Sequence, residues 1–287
     1  MTRLTGSQIE GLEAELGAYD SEMCRKTGSS LSQIAARAAG SSVEGLRRAL
    51  QSEIAAVIGV TAGKGIIKGF VSAVAGIIEY MGCPCITTAH SDVAGLADGI
   101  EKGAGIVFMA DDNRFVAVRL HEGRVVDNSM ASAWGYATAL DILVGGLNGK
   151  DVLLIGAGKV GKKAIAALCH LGAEVGVFDI DTKKAGESAA AFGIRLEIDL
   201  MDALHRYTHF FDASPSPSFI LPEHFKPETG VAACGIPLGL SGRALHQFKE
   251  RLIHDPLQLG TATMLAMAVC TEFSNKTGGG SEGSHRP

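Results

Sequence analysis

The segment from Asp151 to Asp181, DVLLIGAGKVGKKAIAALCHLGAEVGVFDID, constrains the fold more than any other part of the chain. An apolar run over 151–155 leads into Gly156-Ala157-Gly158-Lys159-Val160-Gly161, which fits G-x-G-x-x-G. Apolar residues recur at helical spacing over 162–171, a second strand-like run covers 174–178, and Asp179 stands at its end. Strand, glycine turn, helix and strand in that order suit a dinucleotide. Gly156 permits the tight turn, Gly158 lets backbone amides approach a pyrophosphate, and Gly161 lets the helix pack closely on the sheet. The helix N-terminus adds unpaired N–H groups and the positive end of its dipole. Six residues of glycine pattern are weak evidence by themselves; the flanking elements and an acidic residue about 20 positions on give them weight. A carboxylate at Asp179 accepts from the adenosine ribose hydroxyls and repels a 2′-phosphate, so NAD is expected over NADP. Ile180, next in the chain, falls in the same cofactor site. Lys183 and Lys184 read as a solvated helix face.

A chain of 287 residues has room for two domains. Its net charge of −5, without a basic block, argues against nucleic acid or an anionic membrane surface as partner. No apolar run reaches spanning length and the first thirty residues lack a leader pattern, so a soluble, cytoplasmic protein is expected. The pattern admits a homodimer without specifying one. Six scattered cysteines read as thiols of a reduced compartment; Cys83-Pro84-Cys85 is the one close pair, and no His or Cys cluster beside that pair completes a metal site.

Residues 7–51 read as three helical pieces, capped by Thr5 or Ser7, by Ser29 or Ser30, and by Ser41 or Ser42. From 54 the pattern alternates: strand 54–60, helix 66–81, strand 85–88, helix 93–101, strand 105–109. That alternation predicts a parallel sheet with crossover helices. A hairpin over 115–120 and 124–127 follows, then a long connecting helix over 129–144. Beyond Asp179 come a helix over 183–192, strands at 195–198, 209–213, 231–234 and 251–254, and a last helix over 261–272. The expected fold class is therefore α/β. A helical arm and small α/β substrate domain (1–146) precede a Rossmann domain (147–260), a last helix (261–273) returns to the first domain, and a Gly/Ser-rich tail (275–287) is disordered.

Ligands of open α/β sheets sit at the carboxyl ends of strands. In the second domain that rule selects Ser214, Pro215, Cys234, Leu259 and Thr261 as neighbours of the nicotinamide and its ribose; ordinary turn chemistry is the competing reading for any single proline. In the first domain it selects Thr61-Ala62-Gly63-Lys64-Gly65, read as facing a helix start that holds a carboxylate or is simply capped, and Ala110-Asp111-Asp112-Asn113. The glycine loop is too short for a P-loop. Two acids directly after a buried strand are costly without a partner, which suggests a cationic ligand unless one of them serves the turn. His90 lies at a strand end; the other histidines and Lys68 read as packing or solvated positions.

The ordered set Val60-Thr61-Ala62-Gly63-Lys64-Gly65-Ile66-Ile67, Met109-Ala110-Asp111-Asp112-Asn113, the glycine motif, and Pro256-Leu257-Gln258-Leu259-Gly260-Thr261-Ala262 resembles the PylD family of pyrrolysine biosynthesis dehydrogenases. The similarity runs from the N-terminal arm to Cys270. It implies NAD-dependent oxidation of 3-methylornithyl-N6-lysine. The terminal amine of the ornithine part becomes an imine, water releases ammonia to leave an aldehyde, and the α-amine closes on it to form the pyrroline ring. It also implies a substrate contact at Asp111 and an N-terminal helix that closes over the substrate, giving Leu4 a role. Lys64 departs from the small polar residue of relatives. An ammonium with a pKa of about 10 must lose its proton before the carbon beside it can be oxidised. Asp111 is the expected binder and orienter of that amine, with Thr61 and Asn128 completing the pocket.

Two other readings fit the architecture. One is an oxidoreductase of the shikimate or methylenetetrahydrofolate dehydrogenase type, whose catalytic Lys-Asp or Lys-Gln constellation is not evident in this chain. The other is a non-catalytic NAD-sensing protein, which would bind the dinucleotide without reducing it.

Overall fold

Residues 4–270 are described by the computed structural model. The arm comprises α1 (Gly6–Ile9), α2 (Leu12–Thr27), α3 (Leu31–Ala38) and α4 (Val43–Leu50). Ile9, Leu12 and Leu16 are all buried, but they span two helices because Gly11 turns the chain at φ +75°. Ser30 and Ser42 cap α3 and α4 by accepting from Gln33 N (3.3 Å) and Gly45 N (3.0 Å), contacts worth about 1 kcal/mol each.

The first sheet contains β1 (Ala55–Ile58), β2 (Cys85–Thr87), β3 (Ile106–Ala110), β4 (Phe115–Arg119) and β5 (Arg124–Asp127), in the order β2-β1-β3-β4-β5. β1 pairs in parallel with β2 and β3, and β3, β4 and β5 pair antiparallel. Crossovers are made by α5 (Phe70–Tyr80) and α6 (Asp92–Glu101). All of β1 is buried, as a parallel strand covered on both faces requires. The helix expected from 66 starts only at Phe70, because Gly63, Gly65 and Gly69 hold the chain at φ +70°, +76° and +82° in a loop. The Gly63-Lys64-Gly65 turn therefore does not face a helix start.

Helix α7 (Asn128–Leu143) leads to the second sheet: β6 (Asp151–Ile155), β7 (Glu174–Phe178), β8 (Arg195–Leu196), β9 (His209–Asp212), β10 (Val231–Ala233) and β11 (Leu252–Ile253). Its order is β11-β10-β9-β6-β7-β8 and every pairing is parallel. This is the doubly wound Rossmann order, with the chain reversing between β6 and β9. The intervening helices are α8 (Lys159–His170), α9 (Thr182–Phe192), α10 (Leu200–Arg206) and α11 (Gly242–Phe248). The short α10 and α11 are additional to the sequence expectation, although Asp199 and Ser241 cap them through Asp202 N and Ala244 N.

The last helix, α12 (Gln258–Val269), begins three residues before its expected start and is buried throughout. The rest of the helix expected to 273, and the 275–287 tail, lie outside the described residues. α12 packs on α7, and two glycines let the backbones approach. A Cβ at Gly135 would meet Thr263 Oγ1 at 2.5 Å, and one at Gly260 would meet Asn128 Oδ1 and Ser132 Oγ at 2.9 Å. α12 also packs against α3, α5, β4 and β5, so it returns to the first sheet as expected. Arg124 fastens its end, donating to Cys270 O at 2.6 Å, while Arg119 donates to Val269 O at 3.3 Å and pairs with buried Glu53 at 2.6 Å. Among the described residues no helix is long and apolar enough to cross a membrane.

Candidate active site

One cleft of about 500 Å³ lies where the carboxyl ends of β3, β6, β9, β10 and β11 converge with the start of α7. Small-molecule sites commonly occupy about 300–1,000 Å³. Gly158, Lys159 and Val160 line one wall at the N-terminus of α8. Gly156 takes φ +97°. A Cβ at Gly158 would meet nothing within 4 Å, leaving room for a diphosphate against the helix end, while one at Gly161 would run into the Gly156 carbonyl. The three glycines thus differ in their surroundings: positive φ at Gly156, open space at Gly158 and close backbone contact at Gly161. Ala157 is buried, and its N–H donates to Asp179 Oδ2 at 2.6 Å; Asp181 N donates to Asp179 Oδ1 at 2.8 Å. Asp179 therefore ties the glycine turn to the end of β7 with one lone pair per oxygen and retains the others as acceptors. Ile180, 88% exposed, stands beside it.

Ser214, Pro215 and Cys234 also line the cleft. Their loops pack backbone to backbone, since a Cβ at Gly235 would collide with the Ser214 carbonyl. Asp212 organises this region: its Oδ1 accepts from Ser214 N at 2.9 Å and Ser214 Oγ at 2.7 Å. Its Oδ2 is buried and meets no hydrogen-bond partner among the described residues, and burial pushes the carboxyl up to about 6. Burial also drives the Cys234 thiol far up, so it stays protonated. Leu259 and Thr261 do not face the cleft. Both are fully buried in the first turn of α12, and Gly260 is the residue between them that lines it.

On the opposite wall, Asp111 and Asp112 are exposed rather than buried, which removes the desolvation argument for them. Asp111 Oδ1 accepts from Arg114 N at 2.7 Å and Asn113 N at 2.8 Å, and these two amides hold its carboxyl below the usual carboxylate range. Lys64 N donates to Asp112 Oδ2 at 2.8 Å, so the glycine loop holds a carboxylate of its own chain. Leu4 and Asn128 both line the cleft. Thr61 lies outside it; its N–H and hydroxyl donate to Asp92 at 2.8 and 2.5 Å. His90 pairs with Asp98 at 2.6 Å, also away from the cleft.

Two family models match the chain. Residues 8–126 match the family model described as pyrrolysine biosynthesis protein PylD, N-terminal domain, and 134–237 match alanine dehydrogenase/PNT, C-terminal domain. A pyrrolysine synthase of Methanosarcina acetivorans is 29% identical over 265 residues, 92% of this chain and 98% of the relative. A pyrrolysine synthase of Methanosarcina barkeri is 31% identical over 232 residues, 79% of this chain and 87% of the relative. The chain belongs to the PylD family.

Solved structures share the fold of this PylD-family chain at low identity. Shikimate dehydrogenase from Aquifex aeolicus aligns with a TM-score of 0.51 at 16% identity, over 79% of this chain and 96% of that one. Quinate dehydrogenase from Corynebacterium glutamicum, in complex with NAD, aligns with a TM-score of 0.51 at 14% identity, over 78% and 97%.

Sequence reasoning missed the cleft's most deeply seated polar residues. Asp255, at the turn between β11 and α12, and Tyr136 on α7 both line the cleft while only 5% and 3% exposed. Tyr136 Oη donates to Asp255 O at 2.7 Å, and Tyr19 Oη donates to Asp255 Oδ2 at 2.9 Å. An Asp-Pro pair after a strand was the available signal for Asp255. A tyrosine inside the apolar run of α7 carries none. Arg114 and Asp127, paired at 3.0 Å, complete the rim.

Proposed function

We propose that this protein uses NAD to oxidise the terminal primary amine of 3-methylornithyl-N6-lysine to the aldehyde, with ammonia release and closure to the pyrroline ring. One observation carries the reading: a single cleft sets the acidic Asp111 rim across from the Gly156–Gly161 turn and the α8 N-terminus. In this reading, residues to 146 together with α12 hold the amine, and 147–260 hold the dinucleotide. Asp111, kept ionised by its two amide donors, binds the ammonium and aims it into the cleft. Asn128 offers its amide to the polar part of the substrate, and Leu4 contributes an apolar cover.

Gly156 to Gly161 and α8 hold the diphosphate, Asp179 the adenosine ribose, and Ile180 the adenine. Ser214, Pro215 and Cys234 flank the nicotinamide end. Bound there, the nicotinamide supplies a two-electron acceptor. Preference for NAD is supported by two acids, Asp179 and Asp181, at the ribose end, and by Lys184, which is engaged by Asp181 at 3.1 Å rather than offered to a 2′-phosphate. Ring closure is intramolecular and needs little beyond correct positioning.

The shikimate-type alternative requires a catalytic lysine facing the substrate. Among the described cleft residues the lysine is Lys159, which belongs to the phosphate cradle. The direct test incubates the purified protein with NAD and 3-methylornithyl-N6-lysine. Growth of reduced-nicotinamide absorbance, with a product mass lacking ammonia and two hydrogens, is the expected result. Dinucleotide binding without amine-dependent reduction would instead support the sensing alternative.

A further inference from the structure

We infer that Asp255 is the group that takes the proton from the reacting amine, and that Tyr19 of the N-terminal arm and Tyr136 of α7 are its positioning residues. The inference rests on the amine-oxidation reading, which requires a base, since an ammonium has no lone pair to drive loss of the neighbouring C–H electrons.

Among the described residues four carboxylates line the cleft: Asp111, Asp112, Asp127 and Asp255. Three belong to the rim and are committed to it. Asp111 is held by backbone amides, and Asp112 receives Lys64 N. Asp127 caps α7 through Ser129 N at 2.9 Å and pairs with Arg114. Asp111 and Asp127 are held below the usual carboxylate range, in Asp127 because donors from Ser129 and Arg114 outweigh an opposing effect of burial. Such groups attract a cation but are poor acceptors of its proton.

Asp255 differs in each respect. It is 5% exposed and sits directly after β11, beside Cys234 and Gly235 at the end of β10, where the strand-end rule puts the reacting part of a dinucleotide. Leu259 N donates to its Oδ1 at 3.1 Å and Tyr19 Oη to its Oδ2 at 2.9 Å. Each oxygen keeps a second acceptor position. Tyr136 clamps the main chain, donating to Asp255 O at 2.7 Å and accepting from Asp255 N at 3.1 Å. Anchors from α2, α7 and α12 thus fix one carboxylate orientation. The titratable groups facing it are Tyr19 from α2, Tyr136 from α7, Cys234 after β10 and the adjacent His254. Burial among them pushes its carboxyl up. One carboxylate held low and another pushed high within one cleft is the pattern that separates a binder from a base.

In the step itself an N–H bond of the ammonium breaks, an O–H bond forms on Asp255, and the electron pair stays on nitrogen. A buried cation and anion become two neutral groups, which the dry setting favours. The proton returns to solvent through the cleft when product leaves.

The test compares wild type, Asp255→Asn and Tyr19→Phe with NAD and 3-methylornithyl-N6-lysine across pH, together with carbon-13 titration of the aspartate carboxyls in the cofactor-free proteins. The expected result for Asp255→Asn is a kcat lower by about 100-fold or more, a KM within about threefold and, with the raised Asp212 signal retained, loss of both the acidic limb of kcat and an upward-shifted aspartate resonance. Tyr19→Phe removes a donor that steadies the carboxylate, so it should move that limb and that resonance to higher pH. A wild type that turns over while Asp255→Asn keeps its kcat and its acidic limb overturns the inference and leaves amine oxidation standing. A wild type that never reduces NAD with the amine overturns the functional reading, and this inference with it. Should Asp255→Asn fail to fold, the Tyr19→Phe limb decides: an upward shift supports Asp255 and an unmoved limb overturns it.

Discussion

Strand β9 carries two buried titratable residues whose effects on stability oppose each other, and substituting His209 separates them. His209 is 2% exposed, and its Nδ1 accepts from Gly230 N at 3.1 Å. Burial, reinforced by Lys150 and Arg251, pushes the imidazole down to about 4. An unfolded histidine titrates near pH 6.5, so between about 6.5 and 4 the unfolded chain takes a proton that the native one refuses. Stability is therefore lost as pH falls through that window. That depression corresponds to about 3 kcal/mol as an order of magnitude. Asp212, at the other end of the strand, is raised by burial to about 6, so the native state keeps a proton that the unfolded chain has lost. Its contribution is present below about 3.8 and disappears as pH rises to about 6, with a similar magnitude of about 3 kcal/mol. His209→Asn keeps an acceptor for Gly230 N without a titrating ring. Guanidinium unfolding of variant and wild type between about pH 4 and 7.5 cancels the other carboxylates in the difference. Relative to wild type, His209→Asn should gain about 3 kcal/mol on going from neutral pH to about 4, and Asp212→Asn should gain a similar amount in the opposite direction. Differences that stay flat to within about 0.5 kcal/mol would refute the assignment of these slopes to burial on β9.

Asp111→Asn should raise the KM for the amine by about 10- to 100-fold, the worth of a charged hydrogen bond, while the affinity for NADH, read from its nicotinamide fluorescence, stays unchanged. Asp179→Asn should narrow the preference for NAD over NADP by about tenfold, because it removes the repulsion of a 2′-phosphate; the ratio of the two dissociation constants measures this. Glu53→Ala removes one of the two carboxylates paired with Arg119, leaving Glu122 at 2.8 Å, and should cost about 1–3 kcal/mol in chemical denaturation.

The Rossmann half was legible because its signals are local: each glycine of the 156–161 turn does one geometric job, and β6, β7 and β9 are apolar runs bounded by turns. The first sheet was legible for the same reason. Misreadings arose where the deciding contact was distant or the pattern was featureless. α12 is buried on every side, so no polar face marks its beginning, and Leu259 and Thr261 looked like a loop. Thr61 sits at a strand end, but three left-handed glycines carry its loop away from the cleft and give its hydroxyl to Asp92. The pair Tyr19 and Asp255 meets across 236 positions of sequence, a distance over which no spacing rule operates.

The return of α12 to the first sheet also sets an order of assembly. The second sheet is continuous from Asp151 to Ile253 and holds its own core around Leu153, Phe210 and Val231. The first sheet is exposed along α3, α5, β4 and β5 until residues 258–269 arrive. On a ribosome, the half that is made first therefore waits for the last helix before its core can close. Because Asp255 stands at the entrance to that helix, the cleft between the two sheets can take shape only when the first sheet is completed.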